Sequence, residues 1–198
     1  MFANIRSDFK TYKRNLGAQG FWVMIVYRFG RWRYTVRPAI VRKLFSFIYK
    51  ILYKFIQIIT GIELPCETTI GSNFIIDHFG GIIVSGYAQF GDNCRIRNGV
   101  VVGLKNMEEL GAPVIGNNVD IGAGAKILGK INIGSNVLIG ANAVVIADVP
   151  DNSIAVQLGV NTYRDDRFPV FRHSRRPRLG FGFHPGHLVG LASLGNDR

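Results

Sequence analysis

The stretch IGNNVDIGAGAKILGKINIGSNVLIGANAVV, residues 115–145, decides the fold. Ile115, Ile121, Ile127, Ile133, Ile139 and Val145 follow one another at intervals of six. Glycine comes directly after four of them, at Gly116, Gly122, Gly134 and Gly140. A second apolar or small residue falls four after each: Val119, Ala125, Ile131, Val137, Ala143 and Val149. Six residues turn an α-helix through about 600°, so this period cannot keep to one helical face. Three short strands per coil, separated by tight corners, can carry it. The pattern implies a parallel β-helix in which each coil buries its apolar positions against the next.

Outward from that core the period continues with two interruptions. Upstream, Ile70, Ile76 and Ile82 keep the interval; the phase then slips and resumes as Val84, Phe90, Ile96 and Val102. Val102 and Ile115 are thirteen residues apart, one more than two hexads, and GLKNMEELGAP between them reads as a loop thrown out of the coil. Insertions of this kind gather on the functional face of a solenoid. Glu108 and Glu109 in the loop are candidates to contact acceptor hydroxyls. Downstream, VPDNSIAVQLGV leaves the coil, and residues 163–198, rich in Arg, Gly, Pro and His, read as a mobile, weakly basic tail. The resulting organisation is a helical arm over 1–62, a mainly β domain over 63–158 and a tail over 159–198.

Charge separates these parts. Of the net +11, all resides in residues 1–60, which hold twelve Lys and Arg against one acid, Asp8. The rest of the chain is balanced at twelve of each sign. Such asymmetry points the arm at something anionic. Residues 39–60, AIVRKLFSFIYKILYKFIQIIT, are dense in large apolar side chains, and Lys43, Lys50, Lys54 and Gln57 share one helical stripe. Two readings compete. The helix lies in a membrane interface with its lysines reaching the headgroups, or it packs against the base of the β-helix or a partner subunit. Lysines near its middle argue against a membrane span. The arm's aromatics form apolar surface rather than stacking platforms, which argues against nucleic acid. The first residues lack the apolar core of a signal peptide, so the expected location is the cytoplasm, peripheral at the inner face of the membrane.

The residues able to do chemistry are few. Cys66 and Cys94 have no metal or redox spacing and read as reduced, packed thiols. No nucleophile elbow, phosphate loop or Cys/His metal cluster is present. His78, the one histidine of the repeats, stands at the phase slip in FIIDHFGG, between Asp77 and two nearby glycines, Gly80 and Gly81. A histidine titrates near neutrality and can take a proton from a hydroxyl, given a carboxylate to hold its tautomer. Glu63 and Asp77 are the candidates, and spacing does not choose between them. Direct group transfer from a bound donor, with base assistance and no metal, fits this inventory.

Gly61-Ile62-Glu63, Ile76-Asp77-His78-Phe79-Gly80-Gly81-Ile82-Ile83-Val84, the stretch IGAGAKILG at 121–129 and Ile139–Val145 resemble the serine acetyltransferase branch of the left-handed β-helix acyltransferases. The resemblance covers about half the chain, residues 61–158. It implies a left-handed parallel β-helix, a homotrimer, and direct acetyl transfer from acetyl-CoA to a hydroxyl. His78 matches the family's base, Glu63 the carboxylate that orients it, and Asp77 an acceptor-pocket position. Gly103, Ala123 and Ala141 match small residues lining the donor groove between subunits. The family's acceptor glutamate falls on Gly86, and its carboxylate-gripping Arg-His pair falls on Gly111 and Ala112. Loss of that bidentate clamp shifts the expected acceptor from serine to a sugar, as in the relatives that acetylate exopolysaccharide, and a lipid-linked oligosaccharide would suit the basic arm. A serine O-acetyltransferase with a rebuilt acceptor pocket is the alternative enzyme. A non-catalytic scaffold is the remaining class.

Overall fold

The computed structural model describes residues 2–106, 111–156 and 163–164. Three helices, α1 (Phe2–Thr11), α2 (Gln19–Arg33) and α3 (Ala39–Thr60), precede a solenoid of short strands. The strands stack into three sheets that form the faces of a left-handed parallel β-helix. One face holds β1 (Ile62–Glu63), β4 (Ile82–Val84), β7 (Val101–Gly103), β10 (Lys126–Leu128) and β13 (Val144–Val145). The second holds β2 (Thr69–Ile70), β5 (Gln89–Phe90), β8 (Val114–Ile115) and β11 (Asn132–Ile133). The third holds β3 (Ile75–Asp77), β6 (Arg95–Arg97), β9 (Asp120–Ile121), β12 (Leu138–Ile139) and β14 (Ser153–Ala155). The sixfold beat becomes columns of buried side chains: Val84, Val102, Ile127 and Val145 on the first face, and Ile70, Phe90, Ile115 and Ile133 on the second.

The two interruptions have structural causes. Eight residues separate Ile75 from Ile83, whereas six separate Arg95 from Val101, the positions they pair with. Two extra residues are therefore accommodated at the corner between β3 and β4, where His78 stands. The second interruption lies between β7 and β8, and its central residues, including Glu108 and Glu109, fall outside the described residues. The corner between the second and third faces is held by an asparagine ladder. Asn73, Asn93, Asn118, Asn136 and Asn152 all have φ of 55–58°. Each side-chain amide donates to the next at 2.9–3.0 Å. Asparagine tolerates the left-handed region better than most residues, which is why it recurs there.

The coil does not end where the sequence reading placed its exit. Ser153–Ala155, inside VPDNSIAVQLGV, continues the third face beside Leu138–Ile139. A further strand, β15 (Tyr163–Arg164), pairs antiparallel with Ser153–Ile154, inside the segment read as tail. Ile139 and Ala155, which pair, are sixteen residues apart, so the six-residue beat no longer reveals the last strand.

An open β-helix end exposes unpaired backbone groups, and the helices cover it. Ile76 N–H donates to the Tyr12 hydroxyl at 2.9 Å, and Cys66 N–H to the Tyr49 hydroxyl at 3.0 Å. The Tyr27 hydroxyl donates to the Thr68 carbonyl at 2.8 Å. Gly20 and Gly30 let α2 sit down on the coil: a Cβ at Gly20 would come within 2.5 Å of the Ile76 carbonyl, and one at Gly30 within 2.6 Å of Cys66 Cβ. Helix α2 is a buried plug, while α3 packs by one face and exposes the other.

Candidate active site

The corner joining the third face to the first carries the site. His78 follows β3 directly and has φ of 64°, the left-handed region that suits glycine and asparagine. Gly80 and Gly81 complete the turn at φ of 97° and 66°. The closeness of Gly61 to this corner fixes the next residues: a Cβ on Gly61 would lie 3.2 Å from Gly80 Cα. Beyond Gly80 the space is open, since a Cβ built there meets nothing within 4 Å. His78 and Phe79 are both exposed at this rim, and the imidazole has no hydrogen-bond partner among the described residues.

The same corner repeats down the solenoid. Gly99 N–H donates to the Gly80 carbonyl at 2.9 Å, Gly124 N–H to Asn98 at 2.9 Å, and Asn142 N–H to Ala123 at 2.8 Å. Ala123 and Ala141 therefore stand on the edge that His78 heads, on successive coils below it. Gly103 does not. It ends β7, opposite Leu128, at the far side of the first face. Within one chain Gly103 therefore does not share an edge with Ala123 and Ala141. Lys126, which the sequence reading passed over, donates from Nζ to the Gly99 carbonyl and puts a cation beside this edge. Its outward register beside the buried Ile127 was the available signal.

Glu63 lies on β1, paired with Ile83 of the strand that His78 leads into. Its carboxylate accepts from Gln57 Nε2 at 3.2 Å, and Gln57 Oε1 accepts from Lys54 Nζ at 3.2 Å. The structure thus puts Glu63 and His78 on adjacent coils without joining them by a hydrogen bond. Burial, then the charges of Glu63 and Glu67, push the neighbouring Tyr53 hydroxyl up to about 12. Asp77 precedes His78, but Arg95 Nη1 holds its carboxylate at 2.8 Å on the outer surface of the third face. Arg97 and Asp120 make a second such pair beside it. Gly86 is on the turn after β4, and a Cβ there would be 3.1 Å from Glu67 Cβ. Ala112 is buried and Gly111 lies against the Lys130 side chain, so the resemblance's Arg-His pair is replaced by two small residues with a lysine packed beside the first.

What remains at the rim is one base and open space. Both cysteines are buried and free, and burial pushes the Cys94 thiol up to about 11. A thiol of that kind is a poor nucleophile at neutral pH, and His78 is the one histidine among the described residues.

Comparison with known proteins bears on this geometry. No family model matches the chain. The chain is 33% identical over 191 residues to the serine acetyltransferase of Synechococcus elongatus, covering 89% of this chain and 75% of that protein. It is 38% identical over 135 residues to the serine acetyltransferase of Helicobacter pylori, covering 68% and 79%. It is 36% identical over 126 residues to WcaB of Escherichia coli, assigned to colanic acid biosynthesis as an acetyltransferase, covering 63% and 76%. Among solved structures, serine acetyltransferase isoform 3 of Entamoeba histolytica with cysteine matches at TM-score 0.63 and 27% identity, covering 89% of this chain and 60% of that one. The Brucella abortus serine acetyltransferase with coenzyme A matches at TM-score 0.66 and 30% identity, covering 81% and 65%. This chain spans less than two thirds of either solved chain.

Proposed function

Because the chain belongs to the serine acetyltransferase family of hexapeptide-repeat acyltransferases, we propose that it moves the acetyl group of acetyl-CoA directly onto a substrate hydroxyl, with His78 as general base. The observation that carries this reading is the exposed His78 at a corner with open space beside it, above a stacked edge of small residues. The imidazole takes the hydroxyl proton as the oxygen attacks the thioester carbonyl. The new C–O bond forms, the C–S bond breaks, and the thiolate leaves with the proton that the imidazolium returns. Glu63 orients the imidazole once a bound acceptor or a neighbouring subunit draws it from Gln57. Asp77 contributes through Arg95 to the charge pattern of the acceptor side.

Acetyl-CoA suits the edge at Ala123 and Ala141, where short side chains leave backbone amides within reach of a pantetheine arm. Gly103 belongs to the same groove if it comes from a neighbouring subunit, as in the homotrimer that the resemblance implies. The outward apolar side chains of the first face, Ile83, Val144 and Ile146, are exposed in the single chain and would be covered in that assembly. The proposed use of acetyl-CoA is in keeping with the cytoplasmic location expected from the sequence.

L-serine is the acceptor that the relatives favour, through two serine acetyltransferases matched over two thirds or more of this chain. A sugar hydroxyl is the second reading, favoured by the match to WcaB and by Gly86, Gly111 and Ala112, which stand in place of the family's acceptor glutamate and bidentate Arg-His pair. Steady-state CoA release with L-serine and with a panel of hexoses and nucleotide-linked hexoses separates the two. The serine reading expects turnover with a high KM for serine, because the bidentate clamp is missing. Turnover with a hexose and none with serine assigns the sugar. Absence of CoA release with every hydroxyl acceptor would reject the transferase.

A further inference from the structure

We propose that the exposed face of α3 is a docking surface for an anionic lipid bilayer, on which the helix lies flat. Ile40, Leu44, Phe47, Ile51, Phe55 and Ile58 recur at intervals of three and four along the whole helix. They are 84, 59, 63, 54, 60 and 73% exposed. The opposite side, through Tyr49, Tyr53 and Ile56, is packed on the cap. Twenty-two residues make a strip about 33 Å long. Among the described residues no helix is long and apolar enough to cross a membrane, so the strip lies in an interface rather than spanning it.

Charge selects the occupant. Lys43, Lys50 and Lys54 run along one flank of the apolar strip, and α3 has no acidic residue. The arm's single acid, Asp8, is buried against Arg28. A second copy of this face would bring two sets of lysines together with no carboxylate between them. Phosphate headgroups supply the missing negative charge while the acyl region accepts the phenylalanines and isoleucines. The helix also runs through Gly61 into the strand that carries Glu63, so docking would hold the site close to the membrane surface. The inference does not depend on acetyl transfer, since vesicle binding is measured without substrate.

The test is flotation of the full chain with vesicles of phosphatidylethanolamine containing about a third phosphatidylglycerol, against vesicles of phosphatidylcholine alone, at low and high salt. Binding is expected to the anionic vesicles and to weaken with salt. Replacing the three lysines by glutamine should lower partitioning roughly a hundred-fold or more on anionic vesicles. The triple change Leu44→Gln, Phe47→Gln, Phe55→Gln should abolish it. All six positions are exposed, and far-UV circular dichroism with thermal melting checks that the variants fold. Unchanged binding by either variant overturns the proposal. So does a wild-type chain that ignores vesicles while the apolar triple variant loses a subunit contact in sedimentation, which would make the face a protein interface.

Discussion

Asparagine in place of His78 is expected to cut kcat/KM for acetyl-CoA by about 10²–10⁴-fold while the protein stays at least as stable as wild type. The two halves of this result have separate origins. The loss follows from removing the one imidazole that stands at the open rim among the described residues. The retained stability follows from the backbone: at φ of 64°, asparagine fits the left-handed region better than histidine does. The ladder of asparagines on the neighbouring corner, and Asn142 on the edge below His78, show that this solenoid accepts asparagine in that conformation. Activity within a few-fold of wild type would remove the base assignment. Loss of activity together with a lower melting temperature would make His78 a structural residue. Thermal melts and initial rates on the same preparations distinguish these outcomes.

Alanine at Asp8 is expected to cost about 3–5 kcal/mol, a drop in Tm of roughly 10 °C for a chain of this size. Asp8 and Arg28 are 2% and 11% exposed, with Arg28 Nε 3.0 Å from the carboxylate. Arg28 also reaches the Gly71 carbonyl at 3.4 Å, so the pair ties α1 and α2 to the coil. Removing the carboxylate strands a guanidinium in the cap. The double variant Asp8→Ala with Arg28→Leu should recover much of the loss, because no buried charge is then left alone. Peeling of the cap would also release the backbone groups now held by Tyr12, Tyr27 and Tyr49, and an exposed strand edge invites aggregation. Light scattering during the melt should therefore rise earlier in the single variant than in wild type. Equal stability of single variant and wild type would mean that the cap is held by its apolar contacts alone.

The repeats were legible because a β-helix writes its core into the sequence at fixed spacing. Every buried column on the first two faces, from Val84 to Val145 and from Ile70 to Ile133, follows from that beat. The slip at Ile82–Val84 was also visible, and the structure explains it as two extra residues at the His78 corner. The last strand was missed because its coil is two residues short. Hydrogen bonding at the site was not legible either. Glu63 and Asp77 were equal candidates in the sequence, and only the folded chain places Gln57 on one and Arg95 on the other. The partners come from α3 and from the next coil, at separations no local pattern encodes. The helical arm gave a period and a charge stripe, but which face of α3 would pack depended on tyrosines meeting the first coil.

The most direct test of acetyl transfer is a rapid-quench experiment with acetyl-CoA labelled in its acetyl group. The full chain is mixed with labelled donor alone, and then with donor and the hydroxyl acceptor that supports turnover. Direct transfer predicts that no label stays on the protein without acceptor. With acceptor, label should appear as an O-acetyl ester at the rate at which CoA is released. Label accumulating on the protein before the ester forms, or CoA released with no ester at all, would contradict the account.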